Sequence, residues 1–346
     1  MTIPSLAIGR LPFAPVASWQ QEMKRAVRNV DELCRLLDLP PTFAEQATAF
    51  ANRTAAAGDF PLFVPRPFLA RMQRADPFDP LLRQVLPLDA ETIGVPGFAT
   101  DPVGDSAATL QPGLLQKYHG RVLMVTTGAC AVHCRYCFRR HFPYQDTPRS
   151  YDEWQGAIDE IEADPSIDEV ILSGGDPLTL VDDLLARLSE RLAEIPHLRR
   201  LRVHTRLPIV IPQRVTSELL DWLTGTRLTP IFVIHANHPA EIDNQVEVAI
   251  ARLIDASIPV LNQAVLLRGV NDDAQTLAEL CRRLVNLRVL PYYLHQLDRV
   301  AGAAHFEVPS ARGRQIIAEM KSILPGYAVP RYVEEVAGAD HKLDLL

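Results

Sequence analysis

The sequence has little of what would tie the chain to a membrane, a polyanion or an oxidising compartment. No apolar run approaches the roughly 18–20 residues needed to cross a bilayer, and residues 1–20 lack the charged and apolar segments of a secretory signal. A formal net charge of −7 gives no general attraction to nucleic acids or anionic lipids. Five cysteines, an odd number, do not make a disulfide framework. We therefore expect a cytoplasmic protein whose partners include neither a membrane nor a nucleic acid.

Composition and secondary-structure pattern divide the 346 residues into three parts. A hydrophobic fraction of 47% and a charged fraction of 22% are those of a globular protein. Residues 1–110 are rich in proline and in helix-like segments, with one amphipathic helix expected over residues 20–39. Residues 111–330 alternate strands with helices and form the expected core, and residues 331–346 form a C-terminal tail.

Six strand–helix units follow one another from residue 121. The strand-like runs begin at residues 121, 168, 200, 230, 259 and 288, and each precedes a helical pattern. Ser150 and Glu153 have the spacing of a capping box, so a helix is expected to begin there. This order predicts an α/β fold with a parallel sheet and helical crossovers. An open or partly closed barrel and a doubly wound sheet both fit, and both place sites at the carboxyl ends of strands.

Three of the five cysteines lie within eight residues, in the segment GACAVHCRYCFRRHFPY (128–144): Cys130, Cys134 and Cys137. Thiolates this close on one loop can converge on a soft metal centre. A structural zinc site needs a fourth ligand, which His133 or His141 could supply. A [4Fe–4S] cluster held by three cysteines keeps one iron open for a substrate or cofactor. With Tyr136 before the last cysteine, the spacing C-x3-C-x2-C resembles the signature of the radical S-adenosylmethionine (SAM) superfamily.

A glycine-rich motif, SGGDPL (173–178), ends the strand that follows the cysteines. Its glycines let the backbone approach a ligand closely, although a tight turn at a strand end explains such a motif as well. In the radical SAM superfamily a motif at this place contacts the amino acid end of SAM. The resemblance therefore implies that Gly174, Gly175 and Asp176 contribute to cofactor binding, together with Tyr136.

Further segments make the chain resemble the L-lysine 2,3-aminomutase family. They are CRYCFRRHF, SGGDPL, LNQAVLLRGVND (261–272), PYYLHQLDRVAGAAHF (291–306) and GYAVPRYVEE (326–335). Through PGLLQKYHGR (112–121) and RLPIVIP (206–212), the chain is most similar to the short bacterial enzymes that make β-lysine for the modification of elongation factor P. The resemblance implies a radical SAM partial (β/α)6 barrel with a mainly helical N-terminal region. It also implies an isomerase that moves the amino group of L-lysine from the α to the β carbon.

The resemblance implies pyridoxal 5′-phosphate (PLP) as a cofactor beside the [4Fe–4S] cluster and SAM. Lys342, in the C-terminal tail, matches the lysine that forms a Schiff base with PLP, although by composition alone it would be a solvated tail residue. Longer members have a glycine run before this lysine, of which this chain keeps only Gly338. Arg121 matches an arginine that binds the PLP phosphate, a role that suits a guanidinium. Asn262 and Gln263, at the end of a predicted strand, are expected to give polar contacts to the cofactors.

Lysine as a substrate needs a cation for its carboxylate and anions for its distal ammonium. Arg139 matches the carboxylate-binding arginine of the family, and Asp298 and Glu335 match the two acidic residues that hold the ammonium. Longer enzymes have aspartate where Glu335 stands, so the reach of this carboxylate differs by one methylene. An aminomutase for another amino acid, such as glutamate, would use the same cofactors, but the two acidic residues would repel its anionic side chain.

The alternative from another class is a zinc-stabilised interaction protein without catalysis. The joint presence of cluster, SAM, PLP and substrate positions argues against it. Longer aminomutases bind a structural zinc between subunits through C-terminal cysteines, and no cysteine follows Cys281 in this chain. We therefore expect no structural zinc and a simpler homo-oligomer than theirs. The closer resemblance links the enzyme to the pathway of elongation factor P and its ligase.

Overall fold

In the computed structural model one open sheet of ten strands organises the chain. The structure describes residues 17–56, 60–148 and 150–346. The strands are β1 (Thr109–Gln111), β2 (Leu114–Tyr118), β3 (Arg121–Thr127), β4 (Glu169–Gly174), β5 (Arg200–Thr205), β6 (Thr229–His235), β7 (Val260–Val265), β8 (Leu290–His295), β9 (Arg331–Glu334) and β10 (Leu343–Asp344). The α-helices of the described residues are α1 (Trp19–Lys24), α2 (Val30–Leu36), α3 (Pro41–Ala56), α4 (Arg66–Leu69), α5 (Pro80–Arg83), α6 (Gln155–Ala163), α7 (Asp182–Glu194), α8 (Leu207–Val210), α9 (Ser217–Thr224), α10 (Asn244–Asp255), α11 (Ala274–Asn286) and α12 (Ser310–Ile323).

The middle of the sheet is a parallel array of six strands joined by helical crossovers. Strands β3 to β8 pair in parallel in chain order, which confirms the six predicted strand–helix units. The strand order never reverses, so the doubly wound alternative is wrong. The architecture is a partial (β/α)6 barrel whose sheet stays open, as the resemblance implies. Strands β1 and β2 extend one edge, and β9 and β10 extend the other.

Alternation along the parallel strands gives the sheet two different faces. One face packs on the helices: Val170, Val203 and Ile234 are fully buried in one cluster with Leu188 of α7 and Val246 of α10. The strand register aligns the side chains of the opposite face, which include Arg121, Ser173, His204, His235, Gln263 and His295. Because the helices cover only the first face, this second face lines the interior of the partial barrel, called the lumen below.

The N-terminal region is helical, but the single helix expected over residues 20–39 is wrong. The chain forms α1 and α2 with a break between them, where Val27 and Val64 exchange two backbone hydrogen bonds of 2.8 and 2.9 Å. Asn29 then starts α2, since its side chain accepts a hydrogen bond from the backbone of Glu32 at 3.0 Å. An asparagine that caps one helix cannot also continue the preceding one, although the apolar spacing runs through it.

The helix predicted near residue 150 begins slightly later than the capping box indicates. A single 3₁₀ turn covers Asp152–Trp154 and α6 follows from Gln155. Ser150 donates its hydroxyl to the Glu153 carboxylate at 3.0 Å, so the two predicted residues meet through their side chains.

The described residues contain no helix that is both long and apolar enough to cross a membrane. Most of the N-terminal stretch in which we predicted no secretory signal, residues 1–16, lies outside the described residues.

Candidate active site

The cysteine loop leaves the carboxyl end of β3. Backbone hydrogen bonds from Cys137 to Cys134 (3.0 Å) and from Arg140 to Cys137 (3.1 Å) make it a compact turn. Burial, together with the neighbouring Cys134 thiol, raises the pKa of Cys137 to about 11. Burial also raises the pKa of Cys130 well above its ordinary value, with further contributions from Cys137, Asp176 and Cys134. The three thiols therefore share one electrostatic environment, as ligands of a common metal centre should.

This donor set fits an iron–sulfur cluster better than a single metal ion. In the part of the chain that the structure describes, no three His, Cys, Asp or Glu side chains are placed to hold one ion. A [4Fe–4S] cluster spreads its cysteines over different iron atoms and so tolerates a wider spacing. The two histidines that could complete a zinc site have other neighbours: His133 Nδ1 lies 2.9 Å from the Pro61 carbonyl and His141 Nε2 lies 3.0 Å from the Ala301 carbonyl.

The glycine motif at the end of β4 packs directly against the cysteine loop. A Cβ atom on Gly175 would lie 2.2 Å from the carbonyl oxygen of Ala129, and Asp176 N–H donates to that same oxygen at 2.7 Å. Gly174 has a φ of +124°, which L side chains rarely adopt. Glycine at both positions therefore lets β4 end beside the cysteines, where the resemblance implies that SAM binds.

The Asp176 carboxylate is occupied by protein groups. It accepts hydrogen bonds from the Thr205 hydroxyl at 2.7 and 2.9 Å, from the backbone of Arg206 at 2.7 Å and from that of Leu178 at 3.1 Å. Burial raises its pKa to about 6, although the Thr205 hydroxyl and the backbone donors oppose that rise. Asp176 therefore ties the end of β4 to the end of β5, and its predicted contact with SAM stays a prediction.

A chain of alternating charges connects three predicted site residues through two that we did not predict. Arg139 Nε donates to Asp105 Oδ2 at 2.6 Å, and Asp105 Oδ1 lies 2.7 Å from Lys117 Nζ. Lys117 Nζ lies 3.4 Å from Glu335 Oε1, and Glu335 pairs with the Lys342 ammonium. All five side chains are less than a quarter exposed. The predicted cation for a substrate carboxylate and a predicted anion for its ammonium thus belong to one connected network of ion pairs.

Asp298 belongs to the same electrostatic environment. Burial raises its pKa to about 7, the Lys342 ammonium opposes that rise and the Glu335 carboxylate adds to it. Both predicted ammonium-binding carboxylates therefore lie near Lys342. The structure brings Asp298, Glu335 and Lys342 together from the loop after β8 and from the two ends of the connection between β9 and β10.

Arg121 begins β3 on the lumen face, and its guanidinium lies 4.7 Å from the centre of the Tyr118 ring. No carboxylate of the described residues forms an ion pair with this guanidinium. Burial raises the pKa of Tyr118, and the nearby Glu335 carboxylate raises it as well. Tyr118 therefore lies between Arg121 and the charged residues around Glu335. A cation without a resident anion at this place fits an anionic group such as a phosphate.

The two polar residues predicted at the end of β7 face opposite sides of the sheet. Asn262 is buried toward the helices, where its side chain accepts from the backbone of Ala236 at 2.9 Å and donates to the same residue at 3.1 Å. It therefore fixes the end of β6. Gln263 pairs in register with His235 and faces the lumen. The geometry supports a cofactor contact for Gln263 rather than for Asn262.

Three lumen histidines were missing from the sequence prediction: His204, His235 and His295. Each has a buried Nε2 atom without a hydrogen-bond partner among the described residues. Burial lowers the pKa of His235 to about 4 and lowers those of His204 and His295 well below the ordinary value. Neutral imidazoles with free ring nitrogens can bond to cofactors that enter the lumen. Alternation along the predicted strands would have placed them on the face of Gln263.

Residues 124–281 match the model of the radical SAM superfamily. Its fold is also similar to the crystal structure of Streptococcus suis SuiB, with a TM-score of 0.49, 11% identity and coverage of 63% of this chain and 50% of that chain. Proteins of the class use a [4Fe–4S] cluster and SAM, the cofactors that the cysteine loop predicted.

Curated relatives narrow the class to one family. The L-lysine 2,3-aminomutase of Haemophilus influenzae is 45% identical, with 96% of this chain and 98% of that protein covered. The Escherichia coli enzyme of the same name is 46% identical, with 94% of both chains covered. The Clostridium subterminale enzyme is 34% identical, with 95% of this chain and 77% of that protein covered. The chain belongs to the L-lysine 2,3-aminomutase family and is an isomerase of the radical SAM class.

Proposed function

We propose that this enzyme converts L-lysine to β-lysine with PLP bound at Lys342. The observation that carries the proposal is the charge network that connects Arg139 to Glu335 through Asp105 and Lys117, with Asp298 in the field of Lys342 and Glu335. Arg139 would hold the substrate carboxylate, and Asp298 and Glu335 would hold the distal ammonium. A substrate with a carboxylate at one end and an ammonium at the other complements this arrangement, whereas a second carboxylate in the side chain would be repelled.

The orientation of Arg139 suits the binding of a carboxylate. Asp105 accepts from the Nε atom, so the outer edge of the guanidinium is directed away from this acid. The only other described contact of that edge is a 3.4 Å hydrogen bond from Nη1 to the Ser173 hydroxyl. A carboxylate that approaches this edge can accept two parallel N–H donors. Asp105 therefore holds Arg139 in place while leaving it able to bind.

In the resting protein, the Lys342 ammonium takes the place that we propose for the substrate ammonium. It pairs with Glu335 and lies in the field of Asp298. Covalent attachment of PLP to the Lys342 nitrogen would remove this ammonium from Glu335. The carboxylate would then be available for the ammonium of L-lysine, which would favour binding of PLP before substrate.

Residues of the lumen would hold the rest of PLP. Arg121 offers its unpaired guanidinium to the phosphate, and neutral His204 and His295 offer free ring nitrogens near Lys342. When bound, the cluster and SAM supply hydrogen-atom abstraction, and PLP supplies a conjugated ring that assists amino migration. The protein's part is to fix the substrate at both ends so that only its β carbon is presented for reaction.

We further propose that the product serves the modification of elongation factor P. The support is the resemblance of residues 112–121 and 206–212 to the short bacterial enzymes, together with the nearly complete coverage of the Haemophilus and Escherichia relatives. A homo-oligomer without structural zinc and a cytoplasmic location belong to the same proposal. Restored β-lysyl modification of elongation factor P, in cells that lack their own aminomutase, would support this role.

The test is β-lysine formation from L-lysine by anaerobically reconstituted protein supplied with iron, sulfide, PLP, SAM and reductant. We expect β-lysine from the native protein and none from the Asp298→Asn, Glu335→Gln double variant. Asp255→Asn is a matched control, because this carboxylate lies on the surface and pairs with Arg288. Cleavage of SAM without any β-amino acid product, from an intact cluster, would contradict the proposed lysine pocket.

A further inference from the structure

A buried ion pair lies directly behind the cysteine loop. Arg206, just after β5, is 6% exposed, and Glu241, after β6, is fully buried. Arg206 Nη2 donates to Glu241 Oε2 at 2.9 Å. Removing two charges from water costs more than their attraction returns unless the geometry is very good, so a buried pair is weak evidence for a purely stabilising role.

Arg206 also contacts one of the three loop cysteines. Its Nη1 atom donates to Cys134 Sγ at 2.7 Å. The arginines next to the cysteines in the sequence behave differently, since Arg135 and Arg140 both pair with Glu91. The cation that meets this sulfur therefore comes from another strand end and not from the loop itself.

A polar network fixes the guanidinium in this position. Gln84 accepts from Arg206 Nη2 at 2.7 Å and donates to Glu241 at 3.1 Å. Asn237 donates to the same Gln84 oxygen at 3.0 Å and to the Tyr136 hydroxyl at 2.6 Å. All five side chains are buried. Moving Arg206 away from the cysteine would leave several buried polar groups unpaired, so the contact is held rigidly.

We propose that Arg206, held by Glu241 and Gln84, is a positioning residue that sets the reduction potential of the cluster through the Cys134 sulfur. The potential of an iron–sulfur cluster depends on its net charge and on hydrogen bonds to its sulfurs. Reduction adds one negative charge, so a cation that donates to a ligating thiolate stabilises the reduced state and raises the potential. The proposal rests on the radical SAM class alone and is independent of the substrate and of PLP.

The experiment is a redox titration with dithionite, followed by electron paramagnetic resonance, on cluster-loaded protein without SAM. Arg206→Gln is combined with Glu241→Gln so that no unpaired carboxylate is left buried. In this double variant we expect the ratio of reduced to oxidised cluster at a fixed potential to fall about tenfold, which is about 59 mV for a one-electron couple. Arg206→Lys, which keeps the charge, should show a smaller fall.

Arg214 provides a matched control, because it is fully buried and pairs with Asp182 at 2.8 Å without contacting a cysteine. The Arg214→Gln, Asp182→Asn variant should keep the native potential. An unchanged potential in the Arg206 double variant at full iron content would overturn the proposal. A folded double variant that takes up no iron would also overturn it, since Arg206 would then act in cluster assembly. An equal shift in the control would do the same.

Discussion

Replacing Asp298 with asparagine should stabilise the cofactor-free protein, and more strongly as the pH rises. Burial raises the pKa of this carboxyl group from 3.8 to about 7 in the folded state. Between these two values the folded protein keeps a proton that the unfolded chain releases, so this group's contribution to stability falls as the pH rises through the window. Above pH 7 the loss of stability caused by this group amounts to about 4 kcal/mol, and partial access of solvent to the side chain should reduce that loss to about 2 kcal/mol.

Urea-induced unfolding of the cofactor-free protein, followed by circular dichroism, measures this effect. At pH 8 the Asp298→Asn variant should gain about 2 kcal/mol in the free energy of unfolding, and at pH 5 less than about 1 kcal/mol. The exposed Asp255→Asn control should change this free energy by less than about 0.5 kcal/mol at both pH values. A loss of stability at pH 8 would refute the reasoning, because Asp298 would then be an anion stabilised by Lys342.

Three further changes test the pocket and the cysteine loop. Glu335→Gln should raise the KM for L-lysine about tenfold or more, since loss of a buried charged partner costs at least 1.5–3 kcal/mol, and Glu335→Asp should raise it less in the same β-lysine assay. Lys342→Met should abolish the visible absorbance of protein-bound PLP after gel filtration while leaving the iron content unchanged. Gly175→Ala would put a methyl group 2.2 Å from the Ala129 carbonyl, so we expect about 1–3 kcal/mol of destabilisation and a lower iron content. The control is Gly156→Ala in α6, where a Cβ meets nothing within 4 Å; it should neither destabilise the protein nor lower its iron content.

Local patterns were sufficient to predict the strands and most helices of the core. The run RVLMVTT gave the bounds of β3, and each of the next five strands begins within two residues of its predicted start. Local patterns could not predict the order of those strands in the sheet, because an open barrel and a doubly wound sheet contain the same alternation of strands and helices along the chain. The helix break at Asn29 was missed for a related reason: apolar spacing continues across a residue that can cap a helix.

The site divides into residues that spacing indicated and residues that only the resemblance indicated. Three cysteines on one loop point to a metal centre by themselves. Lys342 does not, since a lysine four residues from a chain end is ordinarily solvated. The antiparallel pairing of Leu343 with Glu334 makes the difference, because it sets Lys342 beside Glu335. That contact depends on pairing between β9 and β10, which a two-residue strand does not reveal in the sequence.

Two of the residues that sequence reasoning missed, Asp105 and Lys117, are charge partners of residues that it found. Asp105 balances Arg139, and Lys117 lies between Asp105 and Glu335. A buried charge requires an opposite charge, but the partner can come from any part of the chain that the fold brings near. Because the folded protein already holds these charges in pairs, binding of L-lysine would exchange partners within the pocket rather than bury new charges. The free-energy cost of desolvating the protein's charges, which usually opposes the binding of a charged substrate, would then arise largely during folding and not during binding.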